Sequence, residues 1–207
     1  MKIALIGATG YVGAKLLAEA LDRGHQVTAI VTDVGKLSDR TGLTGVSADA
    51  TDSDVLSRDV AGHDVVISAY NPGRDTTGTA TQAIVNGVKR GGVSRFLVVG
   101  GAGSLSLPNG ERVVDQPDFP IEWKIGALAT AAFLDQLRGE TGLDWVFLSP
   151  AAMLTPGERT GHYRSGKDDL LTDDAGDSRI SLEDYAVAML DEAEHPKHHR
   201  ERFTVAY

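Results

Sequence analysis

The stretch Met1–Leu21, MKIALIGATGYVGAKLLAEAL, decides the fold. Ile3–Ile6 is an apolar run of the kind that makes a buried strand. Gly7, Gly10 and Gly13 follow at once, and then Leu16, Leu17, Ala20 and Leu21 recur at helical spacing. A strand, a glycine turn and a helix N-terminus in that order make a phosphate cradle. Gly7 lets the chain turn sharply, Gly10 lets the backbone approach a pyrophosphate, and Gly13 lets the helix pack closely on the sheet. Thr9, Tyr11 and Val12 complete the turn, whose free N–H groups face the anion at the positive end of the helix dipole. The stretch therefore predicts dinucleotide binding.

The rest of the chain fits that start. Its 207 residues suit a single NAD(P)-binding domain. Within it we expect a dinucleotide-binding core over 1–150, a small substrate-side lobe over 151–180, and a closing helix and strand over 181–207. A net charge of −9 and the lack of a basic stripe argue against a nucleic-acid surface. The absence of cysteine excludes disulfides, thiolate metal sites and a Cys nucleophile. The start of the chain is too short before Gly7 for a signal-peptide core, and no apolar run approaches the roughly 20 residues of a membrane span. A soluble cytoplasmic protein that acts on a small molecule, with no nucleic-acid or membrane partner, is the expectation; the oligomeric state is left open.

Strand and helix patterns alternate along the chain, which implies a parallel sheet covered on both faces. Strands are expected at Gln26–Val31, Val46–Ala48, Asp64–Ala69, Arg95–Val99, Trp145–Leu148 and Phe203–Val205. Helices are expected at Ser53–Val60, Thr76–Arg90, Glu122–Arg138 and Ser181–Ala193, the last with Ser181 as N-cap and Asp184 at the capping-box position. Gly157–Gly176, with a β-like piece at Asp169–Thr172, reads as a small lobe or hairpin. The fold class is α/β, a Rossmann-type doubly wound parallel sheet with a small C-terminal substrate lobe. Ligands of such sheets bind beyond the carboxyl ends of the strands. That rule selects Gly7–Gly13, Thr32–Lys36, Asp49–Ala50, Ala69–Gly73, Gly100–Ser104 and Pro150–Met153.

With those segments placed, the sequence resembles the short-chain dehydrogenase/reductase superfamily, in its atypical NAD(P)H-binding branch. The likeness is to the NADH-flavin reductase group, relatives of biliverdin IX-beta reductase. GATGYVG, GHQVTAIV, SADATD and VVGGAGSL carry it in the first half, and DQPDFPIEWK, DWVFLSPAA, PGERTGHYR and RISLEDYAVAML extend it nearly to the end. The resemblance implies a nicotinamide cofactor, NADP(H) or NAD(H), and a flavin such as FMN as one class of substrate. It also implies roles for particular residues. Asp49 accepts from the adenine amino group, with Ala50 beside it; Ala69 and Tyr70 cover the cofactor; Gly100, Gly101, Pro150, Ala151 and Met153 line its nicotinamide end. Ser104 lies near the superfamily's active-site serine, and Lys124 is placed for the ribose or phosphate.

Two departures from the family pattern matter. The acid that grips the adenosine ribose should close the second strand, where this chain has Val31, and the Arg of many NADP-binding relatives is replaced by Thr32. Asp33 is placed to bond ribose hydroxyls and Lys36 to neutralise a 2′-phosphate, which gives a lean toward NADP(H). The second departure is catalytic. Tyr163 and Lys167 match the superfamily's Tyr-x-x-x-Lys spacing but fall in the glycine-containing GHYRSGK after the sixth strand, and Pro120 stands four residues before Lys124. The Tyr–Lys dyad is therefore missing. Reducing a simple ketone creates an alkoxide that needs a positioned acid, whereas a flavin or quinone spreads its charge over rings. The reading is an NAD(P)H-dependent oxidoreductase with a flat conjugated acceptor. A non-enzymatic NAD(P)-sensing regulator and a sugar-nucleotide or isomerase-like activity are the alternatives. His195, His198 and His199 sit in the charged tract EAEHPKHHRER, broken by Pro196 and read as a solvated connection, and Asp173, Asp174 and Asp177 fail the calcium-loop spacing, so no metal is expected.

Overall fold

The computed structural model describes residues 1–207. Eight strands form one sheet in the order β3-β2-β1-β4-β5-β6-β10-β8. These are β1 Lys2–Ile6, β2 Gln26–Val31, β3 Leu43–Ser47, β4 Val65–Ser68, β5 Arg95–Val99, β6 Asp144–Ser149, β8 Arg164–Gly166 and β10 Glu201–Ala206. All neighbours are parallel except β10 and β8. β7 (Met153–Thr155) and β9 (Arg179–Ser181) pair separately as a two-stranded parallel ribbon. The fold is thus the doubly wound α/β arrangement, with its switch of strand order between β1 and β4, where a crevice opens beyond the strand ends.

Strand alternation divides the core into two layers. Ile3, Leu5, Ile67, Leu97 and Leu148 face one way and pack with Leu16, Ala20, Tyr185 and Met189. Those residues come from α1 (Gly13–Asp22) and α5 (Leu182–Glu194). Ala4, Ile6, Val66, Phe96 and Phe147 face the other way and pack with Leu56, Ile84, Val88, Phe133 and Leu137. Those come from α2 (Ser53–Val60), α3 (Thr79–Arg90) and α4 (Ile121–Arg138). A strand buried on both faces reads as an unbroken apolar run, which is why β1, β4 and β5 are plain in the sequence.

Several expected boundaries move, each for a local reason. β3 starts at Leu43, because β2 holds it in register from Val27 opposite Leu43 to Val31 opposite Ser47. α3 begins at Thr79 instead of Thr76: Gly78 takes a left-handed φ of +79°, and the Asp75 carboxylate accepts from the N–H groups of Thr77 and Ala80. Asp169–Thr172 is not a strand; Asp169 makes one isolated bridge to Ser106. Gly157–Gly176, expected as a small lobe or hairpin, contains β8, an edge strand held antiparallel on β10. Ser181 caps α5 as expected, accepting from the Asp184 N–H at 2.9 Å.

Candidate functional site

The loop after β1 is built by the fold at two of its three glycines. Gly7 has φ +80°, and a Cβ there would sit 2.8 Å from the Ala69 carbonyl oxygen. A Cβ on Gly13 would stand 2.1 Å from the Gly7 carbonyl oxygen, so helix α1 can reach the sheet only as glycine. Gly10 differs: its φ is ordinary, it is exposed, and a Cβ would meet a single protein atom, the Gly7 oxygen, at 3.3 Å. The protein needs Gly7 and Gly13 for packing, whereas Gly10 leaves the surface of the turn open.

The electrostatics suit an anion. The backbone N–H groups of Thr9, Tyr11, Val12 and Gly13 donate to no protein group. Helix α1 has no side-chain cap and no acidic residue in its first turn, so its positive end is uncompensated. These orphaned donors around an open glycine fit a dinucleotide pyrophosphate.

The residues expected on the adenosine side gather at the ends of β2, β3 and β4. Asp33 caps a short 3₁₀ turn, one oxygen accepting from the Gly35 N–H at 2.9 Å. Thr32 lends its carbonyl to the Ser47 hydroxyl, and Lys36 is exposed with no carboxylate in ion-pair range. Asp49 is held below the usual carboxylate range by bonds from the Thr51 N–H and hydroxyl to one oxygen. Ala50 and Tyr70 pack against the same apolar layer. Burial, reinforced by Asp75, pushes the half-buried Tyr70 phenol up. Ala69 is fixed by its N–H donating to the Ile6 carbonyl at 2.8 Å.

The opposite end lies over β5 and β6. A Cβ on Gly100 would collide with the Phe147 ring at 2.3 Å, and one on Gly101 would approach the Thr130 methyl at 3.2 Å. Ala151 is buried and Met153 is 52% exposed. At the start of α4, Lys124 is half-buried and has no ion-pair or hydrogen-bond partner, next to the 57%-exposed Trp123. Tyr11 joins this end to the loop by donating its hydroxyl to the Leu154 carbonyl at 3.3 Å.

Three residues at this end escaped the sequence reading. Ser149, closing β6, has a buried hydroxyl with no partner, the kind of orphan that a bound polar group satisfies. Arg202 is buried on β10, is held by Asp168, and donates to the Ser104 hydroxyl oxygen at 3.2 Å. Arg179 stands on β9 opposite Met153. Only Ser149 carried a sequence signal, a polar residue at the end of an apolar strand. Tyr163 and Lys167 do not meet the glycine loop: the Tyr163 hydroxyl donates to Asp191 at 2.8 Å, and Lys167 reaches Glu201 at 3.4 Å. No group of three or more His, Cys, Asp or Glu side chains is arranged to hold a metal ion, and no helix is long and apolar enough to cross a membrane.

A family model described as NAD(P)H-binding matches residues 7–196, from the first glycine of the loop to the end of α5. The chain belongs to the NAD(P)H-binding family. An uncharacterized Bacillus subtilis member, YwnB, is 41% identical over 211 residues, covering 99% of this chain and 98% of its own. A candidate epimerase from Bacteroides thetaiotaomicron shares 50% identity and a TM-score of 0.95, covering 100% of this chain and 96% of the other. A candidate NADH-flavin reductase from Streptococcus pneumoniae shares 36% identity and a TM-score of 0.87, with coverage of 100% and 99%. The NAD(P)H-binding family and the Streptococcus neighbour agree with the oxidoreductase class, and both solved neighbours share the Rossmann-like fold.

Proposed function

We propose that this chain is an NAD(P)H-dependent reductase that passes hydride to a flavin, a quinone or another flat conjugated acceptor. The observation that carries the reading is that both Tyr-x-x-x-Lys pairs are committed elsewhere: in the glycine loop the Tyr11 hydroxyl donates to the Leu154 carbonyl oxygen and Lys15 pairs with Glu183. Burial first, and then the bond to Asp191, pushes the Tyr163 phenol far above its ordinary range, and Lys167 is turned to Glu201. With Pro120 four residues ahead of Lys124, helix α4 offers a lysine without the acid that ketone reduction needs.

When bound, the nicotinamide supplies the hydride. In this reading the Gly7–Gly13 loop holds the pyrophosphate, and Lys124 binds the nicotinamide ribose hydroxyls. Gly100, Gly101, Pro150, Ala151 and Met153 form the small-residue platform on which acceptor and nicotinamide rings stack, where orientation supplies most of the acceleration. The Ser104 oxygen accepts from Arg202, which leaves its proton to donate toward the acceptor. A proton from water completes the two-electron reduction. Lys36, unpaired beside an Asp33 that is engaged in capping its own turn, favours NADP(H) modestly over NAD(H).

The name of the Bacteroides relative favours a second reading, an epimerase. Epimerisation would leave NAD(P)H unconsumed. The separating experiment follows NADPH and NADH oxidation with FMN, riboflavin, a quinone and an aliphatic ketone, with EDTA present. Steady oxidation with the flat acceptors and a slow rate with the ketone support the reductase. Binding without oxidation by any acceptor refutes it and leaves the epimerase or a cofactor sensor.

A further inference from the structure

A cavity of about 580 Å³ opens on the outer side of the β7–β9 ribbon, walled by Thr155, Gly157, His162, Arg179 and Tyr207. We propose that it receives the terminal phosphate of a flavin acceptor, so that the enzyme selects FMN over riboflavin; the proposal rests on the reductase reading above.

Register places this cavity beside the acceptor platform. Met153 pairs with Arg179 and Thr155 with Ser181 in the parallel ribbon, so in-register side chains share a face. Met153, Thr155 and Arg179 are exposed on it, while Leu154 and Ile180 turn inward to the core. Arg179 therefore stands one strand spacing, roughly 5 Å, from the platform's Met153, and Thr155 lies roughly 7 Å farther along β7. A ring stacked near Met153 would carry its tail into the cavity.

The charges are arranged for an incoming anion. Arg179 makes no ion pair and no side-chain hydrogen bond; its guanidinium lies over the Tyr207 ring, 5.7 Å from the centroid. Of the neighbouring acids, Glu158 lines the cavity as an exposed carboxylate with no partner, and the other two are already satisfied. Asp184 accepts from the Thr160 hydroxyl at 2.6 Å, the Tyr207 hydroxyl at 2.7 Å and the Gly161 N–H at 2.8 Å, and Glu183 is paired with Lys15. The other arginine at this edge, Arg164, is bound to the carbonyl oxygens of Tyr207 and Thr172. Arg179 is thus the cavity's uncommitted guanidinium, with the fork geometry that matches phosphate, and the free Thr155 hydroxyl and His162 ring are further donors.

The test measures KM and kcat for FMN and riboflavin in the intact chain and in Arg179→Gln, together with flavin-fluorescence titrations of the same proteins. We expect the intact chain to prefer FMN by about tenfold or more in KM and in Kd, the value of one charge-assisted hydrogen bond. In Arg179→Gln that ratio should fall to near one, and Arg179→Lys should restore part of it. Equal affinity for the two flavins, or an FMN preference that survives in Arg179→Gln, overturns the proposal. If neither flavin is reduced, flavins are removed from the acceptors of the reductase reading. The titrations then still decide: an Arg179-dependent preference for FMN upholds the phosphate site, and its absence removes it.

Discussion

Substituting alanine separately at Gly10 and Gly13 separates binding from folding within one loop. At Gly13 the new methyl would lie 2.1 Å from the Gly7 oxygen and 2.9 Å from its carbonyl carbon, both rigid backbone, so α1 must move off the sheet. Overpacking of that kind costs about 1–3 kcal/mol or more, which for a chain of this size lowers Tm by roughly 2–12 °C. At Gly10 the one close contact is 3.3 Å and the residue is exposed, so the melting point should stay within about 2 °C of the parent. At Gly10 it is cofactor affinity that should fall. A methyl over the free N–H groups displaces the pyrophosphate from one or two charge-assisted bonds worth about 1.5–3 kcal/mol each. NADPH should therefore bind Gly10→Ala at least tenfold more weakly. The assay is fluorescence titration of NADPH beside a thermal melt of each protein. Unchanged NADPH affinity in Gly10→Ala, or a melting point lowered as far as that of Gly13→Ala, would refute the assignment of this loop.

Lys36→Ala should weaken NADPH by about 1 kcal/mol or more while barely altering NADH; equal losses in the two titrations would remove the 2′-phosphate assignment. Tyr163→Phe should leave turnover with flat acceptors intact, and should lower stability in urea by about 1 kcal/mol through loss of the half-buried bond to Asp191. A hydrogen bond from Arg159, and further bonds from Arg23, hold the Glu19 carboxyl below its ordinary 4.5 against the cost of burial. Because its folded pKa is depressed, its stabilisation is complete above about pH 4.5 and is lost as pH falls through the folded value. Glu19→Gln should accordingly be less stable than the parent at neutral pH, with the gap narrowing in acid when unfolding is followed by circular dichroism across pH.

What the sequence revealed follows from how each element is stabilised. β1, β4 and β5 are buried on both faces, and α3 repeats Ala80, Ile84 and Val88 at helical spacing, so their own residues announce them. β8 has the sequence Arg-Ser-Gly with no apolar pattern; it exists because β10 offers an open edge. The glycine loop was legible because its chemistry is local, all within one turn. The opposite end of the site was not, because its partners come from distant segments: Arg202 meets Ser104 across 98 residues, and Arg179 meets Met153 only through the ribbon. Tyr163 illustrates the same limit. Its spacing from Lys167 suggests a dyad, while its actual partner, Asp191, lies 28 residues away on α5.

Anaerobic mixing of the NADPH-loaded protein with FMN tests the central claim most directly, with nicotinamide oxidation and loss of flavin colour followed together. The account predicts that both signals decay at one enzyme-dependent rate and in equimolar amounts, and that Tyr163→Phe reproduces the trace. Bound NADPH that stays reduced while the flavin keeps its colour would contradict it. So would brisk reduction of an aliphatic ketone that disappears in Tyr163→Phe.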